Sequence, residues 1–229
     1  MRENTRLLLV GRDDWQKDEA LNLALLQQLK NNCIEIIWED PAAPVIYFFR
    51  KIEQKCKIFS PRIKKCHLRL IQIVYGLLHP SYFVYLYKRK NNSVAFRCES
   101  LKKTIRKHGG AKQTIVLARS SGGRVASLIA DELNLKQIVC LGYPFKHPEQ
   151  DDEPARYAHL AQLKTPMLII QGIQDEYGGI EIKNRYELSN NITLLFLDTD
   201  HNFAIDDAMA QDIVQNIKCV VDVTKQSEC

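Results

Sequence analysis

The chain has 229 residues, enough for one substantial core and short for two, with ordinary globular shares of hydrophobic (45%) and charged (26%) residues. Its seven cysteines (33, 56, 66, 98, 140, 219, 229) are odd in number, unevenly spaced and without a C-x-x-C pair, which argues against a disulfide framework and a zinc site and fits reduced thiols in a cytosol. The net charge of +5 is unevenly spread: residues 45–92 hold eleven Lys or Arg against one acid, Glu53, a local balance of +10 that leaves −5 elsewhere.

The start, "MRENTRLLLVGRDDW", has too short an apolar run for a signal-peptide core, so no export is expected. "TRLLLVG" (5–11) reads as a buried-type strand. "DEALNLALLQQLKNN" (18–32) repeats leucine at helical spacing, and "CIEIIW" (33–38) reads as a second strand, completing a βαβ unit. Pro41 and Pro44 then lead into the basic segment. Within it, "CHLRLIQIVYGLLHPSYFVYLYKRK" (66–90) is apolar and aromatic, but Arg69, Gln72, His79 and Pro80 interrupt it; two helices broken at His79 and Pro80, forming a cap, are expected rather than a membrane span.

Beyond it the alternation resumes. A helix over 93–110 precedes the strand "QTIVLA" (113–118), a helix over 122–134 and the strand "QIVCLGYPF" (137–145). A shorter helix, "YAHLAQLKT" (157–165), leads to "PMLIIQG" (166–172), and a helix over 179–191 leads to "ITLLFLD" (192–198). A last amphipathic helix runs from Asp206 to about Val221. Continuous apolar strands separated by helices predict an α/β fold: a mostly parallel sheet of about six strands, helices on both faces and a helical cap insertion at 45–92 within one domain spanning 1–229.

The stretch "LARSSGGRV" (117–125) holds two candidate nucleophiles. A serine on a sharp strand-to-helix turn needs small residues two positions before and after it, because the strained backbone crowds those neighbours. Ser120 has Ala118 and Gly122; Ser121 has Arg119 and Gly123. Alanine adds only a methyl at the crowded position, so Ser120 is the candidate. A hydrolase of this type needs an acid and then a histidine, each at the carboxyl end of a later strand. Asp175 follows "PMLIIQG" and His201 follows "ITLLFLD" in that order; Asp198 and Asp200 are the competing partners for the histidine.

Four motifs in order, "ARSSGGR" (118–124), "GYPF" (142–145), "TPMLIIQGIQDEYG" (165–178) and "DTDHNF" (198–203), resemble the small, dienelactone-hydrolase-like branch of the α/β-hydrolase superfamily over about half the chain. The resemblance implies Ser120 as nucleophile, His201 as base and Asp175 as the acid that orients it. It also implies an oxyanion hole made by the backbone N–H of Ser121 and of Arg12. The first strand here ends "LLVGRDDW", with Val10 where the family usually carries histidine before Gly11.

The expected function is a serine hydrolase acting on a small ester or related acyl compound, with no metal or organic cofactor. The alternative is a non-catalytic interaction or membrane-associated protein that keeps the fold. Tyr143 and Phe145 are candidates to line the substrate pocket, against a plain core role. His147 and His159, near the "GYPF" loop, are candidates for substrate contact but read first as solvent-facing loop residues. The basic segment 45–92 admits two readings, a cap selecting an anionic or lipid-like substrate and a face resting on an anionic membrane; nucleic acid is not expected. The corresponding location is cytoplasmic, peripheral to the membrane if the second reading holds.

Overall fold

A computed structural model describes residues 6–11, 35–39, 61–90, 93–203 and 206–226. The helix expected over 18–32 lies outside the described residues. Six strands, β1 (Arg6–Val10), β2 (Glu35–Trp38), β3 (Thr114–Arg119), β4 (Gln137–Leu141), β5 (Met167–Gly172) and β6 (Ile192–Leu197), form one sheet in the order β2-β1-β3-β4-β5-β6, every pair parallel.

The strands are apolar almost throughout because both faces of the sheet are covered. Side chains still alternate along each strand. Leu8, Val116, Ile138 and Met167 stand in one row across four strands and join the core on one face, where Leu101 and Ile105 of α3 (Val94–Lys107) meet Val125 and Ile129 of α4 (Ser121–Leu133). One residue further along, Leu9, Leu117, Val139 and Leu168 point to the other face, against Ile213, Val214 and Ile217 of α6 (Asp207–Gln226). The sequence order reverses between β1 and β3. A parallel sheet opens a crevice beyond the carboxyl ends of its strands at such a switch point, and Gly11 and Ser120 lie at those two ends.

The "TP" that opens β5 has a structural task. The Asp131 carboxylate near the end of α4 accepts hydrogen bonds from Thr165 Oγ1 (2.7 Å), Thr165 N (2.8 Å) and Lys164 N (2.9 Å), fixing where the chain enters the strand. Burial alone would raise the pKa of this carboxyl, and those hydrogen bonds reverse the sign and hold it below the ordinary value.

Two expected helices are not built as the periodicity suggests. Residues 157–165 contain only a 3₁₀ stretch, Ala158–Gln162, which Leu163 leaves in an extended conformation shortly before Pro166. Of 179–191 only Ile182–Arg185 is helical (α5); Tyr186 is extended (φ −118, ψ 138), stacks on Phe145 at 5.2 Å and meets Tyr157 at 4.3 Å. Aromatic packing against residues distant in sequence outweighs a local pattern ending in the weak helix formers Ser189, Asn190 and Asn191.

The chain divides into two compact units, Met1–Glu39 with Cys98–Cys229, and Asp40–Arg97. In the second, α1 (Pro61–Leu78) and α2 (Ser81–Lys90) form a helical hairpin broken at His79 and Pro80. Proline at the first position of α1 suits a site where the backbone N–H is not needed. The hairpin closes through Tyr82 N donating to His79 O (2.9 Å) and Phe83 N donating to Pro80 O (3.1 Å), with Tyr75 edge-on to Tyr82 at 5.5 Å. Gly76 faces the Phe83 ring so closely that a Cβ there would lie 2.6 Å from it.

Candidate active site

Ser120 stands between the last residue of β3 and the first of α4, with φ 48 and ψ −122. This is a region that costs a non-glycine residue about 1–3 kcal/mol and needs support from its surroundings. Support comes from Ser120 N donating to Leu141 O (2.9 Å) and Gly123 N donating back to Ser120 O (2.8 Å). The small neighbours are needed for the reason the sequence suggested. A Cβ on Gly122 would sit 2.7 Å from Val10 O, and one on Gly123 would run into the Cys140 side chain, so β1 and β4 press directly on the turn.

Three side chains meet there. Ser120 Oγ lies 3.0 Å from His201 Nε2, and His201 Nδ1 lies 2.8 and 3.0 Å from the two oxygens of Asp175. A carboxylate can only accept, so Nδ1 carries the proton and Nε2 is left as the acceptor facing the serine hydroxyl. Asp175 is buried at 3% exposure, whereas Ser120 and His201 keep partial access to solvent. Neither competing acid meets the ring: Asp200 Oδ1 accepts from Asn202 N (2.9 Å) in a local turn, and Asp198 Oδ1 accepts from Gln174 Nε2 (3.2 Å).

Asp175 and His201 are held by residues that no motif argument singled out. Gln171, wholly buried in β5, donates through Nε2 to Asp175 Oδ2 (2.7 Å) and Gly178 O (2.7 Å), while its Oε1 accepts from Tyr143 N (2.8 Å). Tyr177 N donates to Asp175 Oδ1 (2.8 Å), and the Tyr177 ring lies 4.4 Å from that of His201. Arg119, which precedes the serine, is buried at 3% exposure. Its Nη2 donates to His201 O (2.6 Å), its Nη1 donates to Leu141 O (3.2 Å), and its guanidinium lies 4.6 Å over the Phe203 ring. A Cβ on Gly142, at φ +65, would meet Arg119 Nη1 at 2.8 Å and His201 Nδ1 at 3.3 Å, so that glycine leaves the space both side chains use.

Several expectations need correction or fall out of view. Tyr143 and Phe145 do not line an open pocket: both are completely buried among core residues, with Tyr143 Oη donating to Arg156 O (2.7 Å). His159 is not a solvent-facing loop residue. Its Nε2 lies 2.8 Å from Ser127 Oγ, and burial, aided by the Arg124 charge, pushes its pKa down to about 4. Ser121 opens helix α4 directly after the nucleophile candidate, whereas Arg12 lies outside the described residues. Burial pushes the Cys140 thiol pKa far up, which makes it a packing group beneath the turn rather than a competing nucleophile. Among the described residues, no group of three or more His, Cys, Asp or Glu side chains could hold a metal ion.

The sequence pattern of the alpha/beta hydrolase domain matches residues 83–227, well over half the chain. The chain belongs to the alpha/beta hydrolase family. Solved structures share this fold at low identity. A protein from Xanthomonas campestris pv. campestris, assigned as a hydrolase of the alpha/beta superfamily, superposes with TM-score 0.54 at 12% identity, covering 96% of this chain and 99% of its own. A protein from Acinetobacter baumannii assigned as a lipase gives 0.58 at 12% identity, covering 99% and 86%, and a bacterial membrane phospholipase A gives 0.56 at 12% identity, covering 98% and 81%. No curated protein matches the sequence. For this alpha/beta hydrolase, likeness at such identity establishes the fold alone.

Proposed function

We propose that this alpha/beta hydrolase is a serine hydrolase that cleaves a carboxylic ester or related acyl bond. The observation that carries the reading is the unbroken chain of contacts from Ser120 Oγ to His201 Nε2 (3.0 Å) and from His201 Nδ1 to the buried Asp175 (2.8 Å). In the reaction Ser120 Oγ attacks the acyl carbon while His201 Nε2 takes its proton. The imidazolium so formed faces the Asp175 carboxylate, which is fixed by Gln171 and Tyr177 N, and returns the proton to the leaving alkoxide. Water, deprotonated by the same histidine, then releases the acyl group and restores the serine.

The negative charge on the carbonyl oxygen needs preorganised donors, each worth about 2.7–4 kcal/mol in the transition state. In this reading they are the backbone N–H of Ser121, at the positive end of α4, and that of Arg12, which follows the β1 end that packs against Gly122. The lipase and phospholipase among the similar folds are compatible with an ester substrate.

The test is covalent labelling with a fluorophosphonate probe, read by mass spectrometry of the modified peptide, beside turnover of short-chain p-nitrophenyl esters. Modification of Ser120 in the wild type, its loss in Ser120→Ala and its retention in Ser121→Ala are expected. Equal labelling of Ser120→Ala and wild type would overturn the reading.

A further inference from the structure

Helices α1 and α2 differ from the rest of the molecule in what they leave uncovered. Leu70 (60% exposed), Ile73 (53%), Val74 (51%) and Leu77 (72%) follow the i, i+3, i+4, i+7 spacing of one helical face, and Phe83 (45%), Val84 (54%) and Tyr87 (70%), at i, i+1 and i+4, share one face of α2. These seven side chains make up most of the large apolar residues exposed among the described residues. A monomeric soluble surface rarely gathers so many, and such a patch marks a partner.

Charge identifies the partner. Between Pro61 and Lys90 there is no Asp or Glu, while Arg62, Lys64, Lys65, Arg69, Lys88, Arg89 and Lys90 are all cationic. They gather in the first half of α1 and the last turn of α2. These are the two outer ends of the hairpin, away from its closing turn at His79 and Pro80. A second copy of the chain would set one cationic hairpin, with no acid of its own, against another, so self-association through the apolar stripes is disfavoured. An anionic lipid surface satisfies both features: acyl chains accept the aliphatic side chains and Phe83, Tyr87 suits the headgroup level, and lipid phosphates neutralise the lysines and arginines. No helix among the described residues is long and apolar enough to cross a membrane. That geometry suits a segment lying in the interface rather than spanning it.

We propose that the α1–α2 hairpin is a membrane-docking element that seats the protein on anionic lipid surfaces. The inference is independent of the hydrolase reading, since it uses no residue of the Ser120 site. The experiment is flotation of the full-length protein with vesicles of phosphatidylcholine alone and of phosphatidylcholine mixed with phosphatidylglycerol, at low and high salt. Wild type is expected to float with the mixed vesicles at low salt and to lose binding with neutral lipid or high salt. Replacing Lys64, Lys65, Lys88, Arg89 and Lys90 by Gln should weaken binding by about fivefold per charge that approaches the surface. Replacing Leu77, Val84 and Tyr87 by Gln, Gln and Ser should abolish insertion, read as loss of binding that low salt does not restore. Thermal melting of both variants should match wild type, because the altered apolar side chains are already exposed. Failure of wild type to bind anionic vesicles at low salt would overturn the proposal. So would equal binding to neutral vesicles, or a lipid-free dimer that the Leu77, Val84 and Tyr87 substitutions dissociate. A charge variant that keeps vesicle binding but raises KM for anionic esters would assign the hairpin to substrate selection instead.

Discussion

The central sheet and the α1–α2 hairpin are built from the same residue types and treat them oppositely. In β3 and β4, Ile115, Leu117, Val139 and Leu141 have no exposed surface, whereas Leu70, Val74, Leu77 and Val84 of the hairpin are each more than half exposed. The contrast separates two uses of an apolar side chain. In the sheet it is worth about 1.5–3 kcal/mol of folding free energy; on the hairpin it contributes almost nothing to folding and remains available for a partner. The polar groups divide the same way. Those of the sheet edge, Arg119, Gln171, Asp175 and His201, are tied together by short hydrogen bonds, while Arg69 and Lys90 of the hairpin are exposed.

The largest expected effect tests whether the tied groups do chemistry. Ser120→Ala should lower ester turnover by about four to six orders of magnitude, with melting temperature nearly unchanged; the assay is kcat/KM alongside thermal melting. A fall of less than tenfold would leave the sheet edge as a structural network only.

Next comes stability, where the two regions can be compared by one kind of change. Leu117→Ala removes a buried side chain and should cost about 2–5 kcal/mol, whereas Leu77→Ala should stay within about 0.5 kcal/mol. Urea unfolding measures both, and similar losses for the two variants would show that the hairpin face is covered in solution.

Arg119 sharpens the picture of the sheet edge. Under the proposed mechanism its link to the His201 carbonyl (2.6 Å) gives it a positioning role, since it touches no reacting atom. Arg119→Met should lower kcat by about 10- to 100-fold, in line with small displacements of a catalytic group, at little change in KM. Arg119→Lys, which keeps a buried cation, should recover part of that loss. A variant whose kcat and KM are both unaltered, or whose only change is a lower melting temperature, would reduce Arg119 to a packing role.

The smallest effect is a pH dependence at a half-buried histidine. His159 is held neutral by burial, with its pKa near 4 in the fold against an ordinary value near 6.5. Between those values the unfolded chain binds the extra proton and the folded chain does not. This part of the stability is therefore intact above about pH 6.5 and is lost progressively as the pH falls toward 4. Because the ring is only partly shielded, the loss should be about 1–2 kcal/mol. His159→Gln should flatten the slope of unfolding free energy over that window, followed by denaturant titration at successive pH values.

Much of the fold could be read from local pattern. Apolar runs bounded by glycine and polar residues marked the six strands, and the break at His79 and Pro80 marked the hairpin, because a strand buried on both faces and a proline at a helix boundary both leave signatures within a few residues. The small flanks of Ser120 identified the turn, since crowding around a strained backbone is a local demand. Asp175 and His201 were legible through chain order and strand position.

What local pattern could not contain are interactions between segments far apart in the chain. That Arg119 reaches the carbonyl of His201, that Gln171 braces Asp175 from within its own strand end, and that Tyr143 and Phe145 turn into the core are decided by how β3, β4, β5 and the loop after β6 lie side by side. The helical pattern over 179–191 yields for the same reason: Tyr186 gains more by stacking on Phe145 and Tyr157 than the segment gains from further helical turns. Sequence determined the strands, the turn and the identity of the three meeting side chains, because propensity and steric crowding act over a few residues. Tertiary structure alone decided which residues hold those three in place and which apolar faces stay uncovered, because packing is settled only when distant segments meet.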